Sequence, residues 1–137
     1  MLPRMEKSSG KGLYIGYIVV AVLFSLMMFF SAAFKFTMNP DAVHMIHDVI
    51  GVPIGLIPVL GICEVAGGLG LLAGIFRPKL GVAGAAGLVL YFIGAIVAHV
   101  RVSDWSGVTA PITPLVLSCV ALTLGIMRAR RADVAAR

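Results

Sequence analysis

Residues 60–72 read LGICEVAGGLGLL, and twelve of these thirteen residues are apolar or glycine; the thirteenth is Glu64. The stretch lies inside a longer run, residues 53–76, that carries no other charge. At about 1.5 Å per residue such a run crosses a hydrocarbon layer about 30 Å thick. Glu64 then falls about 16 Å along it, near mid-membrane. A carboxylate there costs on the order of 3 kcal/mol on insertion scales. It is therefore expected to face other helices rather than lipid, and to hold either a proton or a cationic partner.

Three further runs have the same character. They cover residues 12–34, 80–99 and 111–127. The first follows a basic head, as a signal peptide would, and Ser31-Ala32-Ala33 faintly resembles a cleavage site. The run is too long for a signal core and more spans follow, so it reads as a retained helix. The chain of 137 residues is 60% hydrophobic and 12% charged, with a mean hydropathy of +1.04. A soluble domain of this size needs more polar surface. The fold class predicted is all-α: an integral membrane four-helix bundle, up-down-up-down, with a short amphipathic surface helix between spans 1 and 2. Its parts are a basic head (1–11), the four-span domain (12–127) and a basic tail (128–137).

The net charge of +5 is a matter of topology here, not of nucleic acid, because the basic residues stand at span ends. Arg4, Lys7, Lys11, Arg77, Lys79, Arg128, Arg130, Arg131 and Arg137 fall on one side; Lys35 and Arg101 fall on the other. This asymmetry places both termini in the cytoplasm. The connection of residues 36–52 contains MNPDAVHMIHDVIG. Asn39 suits a helix cap with Pro40 at the first position. Ala42, Met45, Ile46 and Val49 then share one face and Asp41, His44 and Asp48 another, as in a helix lying on a membrane surface. His44-x-x-His47 offers two imidazoles one turn apart, but only Asp41 and Asp48 accompany them, and the group is read as a polar face without a metal.

Pro58 is a candidate bend in the second span. Gly70-x-x-x-Gly74 and Gly94-x-x-x-Ala98 have the spacing that lets membrane helices pack closely. GGLGLLAG is not a nucleotide loop, since no strand precedes it. Cys63 and Cys119 stand apart without a CxxC motif, which argues against a thiol relay and for packing roles.

The residues able to carry chemistry are few. Glu64 and His99 are the candidate catalytic pair, one an intramembrane acid and the other able to exchange protons near neutral pH. Lys35 and Arg101 are candidate ligand-binding cations at the same end of the bundle. Trp105 reads as an interface anchor.

In Ala33-Phe34-Lys35, Gly61-x-x-Glu64-x-x-Gly67 with Leu71-Leu72, and Gly94-Ala95 followed by His99-x-Arg101, the chain resembles the DoxX family, in its DoxX-like branch of small four-span bacterial membrane proteins. The resemblance covers about residues 12 to 127. It implies a place in the cell (inner) membrane and recurrence of the second-span Glu and third-span His-x-Arg. The namesake proteins are associated with a thiosulfate:quinone oxidoreductase, and other relatives with oxidative-stress complexes. With no haem-ligand pairs or iron–sulfur motifs, no cofactor is expected to be intrinsic, and a redox role would use a quinone or a redox partner protein. Three functions remain in play: binding of a quinone or other amphipathic small molecule; acid–base catalysis of isomerisation, elimination or epoxide opening on a hydrophobic substrate; and a homo-oligomeric membrane scaffold.

Overall fold

The computed structural model describes residues 2–137, with side-chain surroundings from residue 9 onward. Its elements are α1 (Leu2–Phe36), α2 (Pro40–Val43), a π-helical segment (His44–Val49), a 3-10 turn (Ile54–Leu56), α3 (Ile57–Ala73), α4 (Pro78–Arg101) and α5 (Thr109–Ala135). No strand occurs among the described residues. Among the described residues, four helices are long and apolar enough to cross a membrane. They form a ring in which α1 packs on α3, α3 on α4, α4 on α5 and α5 back on α1. One long connection, carrying the surface segment, and two short ones join successive spans as antiparallel pairs, which is the bundle predicted.

Several boundaries differ from the expected ones. The first helix begins at Leu2 rather than Gly12, so the basic head continues the helix. At about 52 Å it outruns a bilayer core, leaving its polar first turns beyond the apolar run. The second span opens with the 3-10 turn, and Pro58 lies in the first turn of α3. There its missing N–H costs no helical hydrogen bond, and no bend is needed. The surface segment is not one α-helix. Asn39 caps α2 as expected, its side chain accepting from the Asp41 and Ala42 amides, but after Val43 the chain widens into the π-helical segment.

The end of the bundle that carries the termini is packed solid. Gly70 faces Gly84, and Gly74 faces Gly81, so closely that a Cβ on either α3 glycine would meet backbone. The Tyr17 hydroxyl donates to the Leu71 carbonyl at 2.8 Å, and Ser25 donates to Gly68 O at 2.9 Å. Past the end of α3, Arg128 donates to Gly74 O at 2.6 Å and Ile75 O at 3.1 Å. Its guanidinium lies 4.7 Å from the ring centre of Tyr17 and 4.9 Å from that of Tyr14. One arginine thus satisfies orphan carbonyls at a helix terminus while stacking on two aromatics.

The other end is built differently. Both α1 and α4 stop there in Schellman motifs. Asn39 N–H donates to Phe34 O and Met38 N–H to Lys35 O; Asp104 N–H donates to His99 O and Ser103 N–H to Val100 O. The turning residues, Met38 (φ 52°) and Ser103 (φ 57°), occupy the left-handed region that glycine usually fills. Gly94 does not pack against a helix as its spacing suggested: nothing lies within 4 Å of where its Cβ would be. The cysteines are also not core residues; both are free and exposed on the outer surface of the helices.

Candidate ligand-binding site

The space that close packing leaves at this second end is a cavity of about 560 Å³, within the range of small-molecule pockets. Its walls are mostly aliphatic, aromatic and methionine side chains, with Met27 and Met28 from α1, Leu60 from α3 and Phe92 from α4. Met45, Ile46, Ile50 and Val52 roof it from the surface segment. Polar groups are confined to a few positions: Ser31 and Lys35 on α1, Glu64 on α3, and Tyr91 and His99 on α4.

Glu64 is 2% exposed and lies about 10 Å along α3 from its start. Lys35 Nζ stands 2.9 Å from Glu64 Oε1. Ser31 and Tyr91 each donate to the same oxygen at 3.1 Å, and Lys35 also donates to Ser31 Oγ at 2.9 Å. Two helices, α1 and α4, therefore deliver three donors to one carboxylate oxygen of α3. The other, Oε2, is buried and has no hydrogen-bond partner. The Lys35 ammonium and the Glu64 carboxylate cancel in charge, which is how a buried acid is tolerated in an apolar bundle.

His99 is 4% exposed. Its Nδ1 lies 2.8 Å from Asp104 Oδ2. Asp104 in turn accepts from Ser106 Oγ at 3.0 Å and from the Gly107 amide at 3.1 Å. The hydrogen bond from His99, helped by those from Gly107 and Ser106, holds the Asp104 carboxyl below the usual carboxylate range. Asp104 is thus an acceptor at neutral pH, and His99 Nδ1 carries a proton. A Cβ on Gly107 would collide with both Asp104 Oδ2 and the His99 ring, so the turn can close over this pair only with glycine there. His99 Nε2 has no protein partner and belongs to a side chain that lines the cavity.

Of the four residues picked out in the sequence, Lys35, Glu64 and His99 meet around this cavity. Arg101 does not. It is exposed, and it edges a smaller hollow of about 350 Å³. That hollow shares Ile50, Val52, Gly94 and Ala98 with the cavity, so the two adjoin across the glycine. Ser31, Tyr91 and Asp104 were not assigned roles from the sequence, although spacing carried a signal. Ser31 and Lys35 are one helical turn apart, and Tyr91 and His99 are eight residues apart on one face. The imidazoles of the surface segment serve locally: His44 pairs with Asp48 at 3.0 Å, and His47 Nδ1 lies 2.8 Å from Val52 O.

The model of the DoxX-like family matches residues 19–121. The chain belongs to the DoxX-like family. The match takes in α3, α4 and the whole cavity wall, Lys35, Glu64 and His99 included, and Asp104 as well. Neither the curated proteins nor the solved structures yield a match. This DoxX-like protein is accordingly a multi-pass membrane protein in contact with the lipid bilayer.

Proposed function

We propose that this DoxX-like protein binds a hydrophobic or amphipathic small molecule, such as a quinone, in the cavity between its spans, as an accessory to a membrane redox system. The observation that carries this reading is the pairing of an apolar cavity of about 560 Å³ with a buried carboxylate that keeps one oxygen unpartnered. A purely structural ion pair would be expected to satisfy both oxygens, since an orphaned buried polar atom costs about 1–3 kcal/mol. Apolar walls hold a tail; Glu64, Lys35 and His99 address a head group. The nine-to-two distribution of basic residues supports cytoplasmic termini in the cell (inner) membrane, which turns the cavity end outward.

The His99–Asp104 pair favours a second reading, an acid–base enzyme acting on a hydrophobic substrate. An imidazole oriented through Nδ1 by a carboxylate leaves Nε2 to take a proton from a bound molecule. A redox partner protein and a homo-oligomer belong to the first reading and to a scaffold respectively.

Mass spectrometry of small molecules retained by protein purified from membranes in mild detergent tests the binding reading. Wild type should retain a hydrophobic compound that a Glu64→Ala/His99→Ala variant of wild-type helical content loses. Equal retention by both would overturn it.

A further inference from the structure

The hydrogen-bonding inventory of the cavity wall is lopsided. A hydroxyl has one proton to donate. Those of Ser31 and Tyr91 are both given to Glu64 Oε1. Lys35 has three, and two are given to Ser31 Oγ and Glu64 Oε1. A ligand carbonyl entering the cavity therefore meets a wall whose donors are largely committed. Acceptors are in surplus. Glu64 Oε2 has no partner. With Nδ1 donating to Asp104, the neutral form of the His99 ring presents Nε2 as a lone pair. Pro114, also on the wall, has no N–H to return to the Ala110 carbonyl one turn earlier.

The electrostatics point the same way. Lys35 and Glu64 neutralise one another at 2.9 Å, and Asp104 is engaged by His99 and the loop amide. The cavity holds no uncommitted cation to attract an anionic head, because Arg101 stands outside it. Resting on the binding reading above, we infer that the ligand has a neutral head group that donates hydrogen bonds. Its class is a hydroxyl on a hydrophobic molecule: a phenol, a reduced quinol or a long-chain alcohol, in preference to a head bearing only carbonyl oxygens. His99 Nε2 is the acceptor in immediate reach. Glu64 Oε2 is buried, and Met27 and Met28 on the same cavity wall have flexible side chains that can yield to a bound ring. A hydroxyl that reaches Oε2 satisfies the atom the protein leaves bare.

The test is anaerobic titration calorimetry on the full chain in lipid nanodiscs, with decylubiquinol, decylubiquinone and farnesol as probes. One tail with two head groups isolates the donor, and farnesol separates a general hydroxyl preference from a ring preference. Decylubiquinol should bind at least about tenfold tighter than decylubiquinone, as a hydrogen bond to a buried unpartnered acceptor implies, and farnesol should bind measurably. In a His99→Phe variant the advantage of the quinol over the quinone should shrink to less than about threefold. Equal affinity for the two forms, or preference for the quinone, overturns this inference and leaves the binding reading standing. No binding of any of the three overturns the binding reading itself.

Discussion

Lys35 Nζ lies 2.9 Å from Glu64 Oε1, and the two side chains are 12% and 2% exposed. The pair joins the last turn of α1 to the middle of α3, one residue supplying the charge that the other needs in order to stay ionised out of water. Removing one partner of a buried pair is costlier than removing both, because a lone buried charge is left behind. Lys35→Met should destabilise the protein by about 3–5 kcal/mol in a reversible detergent unfolding titration. Adding Glu64→Gln to that variant should restore most of the loss. A Lys35→Met protein as stable as wild type would mean that Glu64 is held neutral.

Gly94 sits where the cavity and the Arg101 hollow adjoin. Open space lies beside it, and its neighbours Leu90 and Val97 are 71% and 59% exposed. Gly94→Leu should therefore fold normally, with a melting temperature equal to or above that of wild type, since a glycine is removed from a helix interior. Hydrophobic ligand should enter and leave several-fold more slowly in stopped-flow fluorescence. Unchanged rates would show that ligands pass elsewhere.

Ser103 turns the chain at φ 57° between His99 and Asp104. An L-residue in this region costs on the order of 1 kcal/mol relative to glycine. Ser103→Gly should raise stability by about that amount, with His99 and Asp104 left in place. A loss of stability would indicate that the serine side chain supports the turn.

Reporter fusions read the orientation directly. A fusion after Phe36 and one within residues 102–108 should report from outside the cytoplasm, and one after Arg137 from inside, as the distribution of basic residues requires. A cytoplasmic signal after Phe36 would reverse the assignment of the cavity mouth.

Much of this molecule was legible in its sequence because a bilayer demands long apolar runs. The four spans, the surface segment and its Asn39 cap follow from run length and turn chemistry. So does the burial of Glu64, since a lone acid in an apolar span has few places to go. Less legible was what depends on side chains meeting between helices. The sequence offers Lys35, Arg101 and His99 equally as partners for Glu64; helix rotation brings in Lys35 with Ser31 and Tyr91 and turns Arg101 outward. Asp104 lies beyond the third apolar run, and only the Schellman turn at Ser103 folds it back on His99. The two small-residue spacings looked alike, yet Gly70 and Gly74 pack backbone on backbone while Gly94 lines a hollow. Spacing says that helices can approach, not which face does so.

The claim on which the rest depends is that the cavity is a binding site with Glu64 and His99 on its polar wall. The most direct measurement is a calorimetric titration of decylubiquinol into nanodisc-embedded wild type and into the Glu64→Ala/His99→Ala variant, matched for helical content at the temperature of the titration. Wild type should show saturable binding at about one molecule per chain, and the double variant should bind at least about a hundredfold more weakly, the loss expected for two hydrogen bonds to buried groups. Identical isotherms for the two proteins would contradict the account.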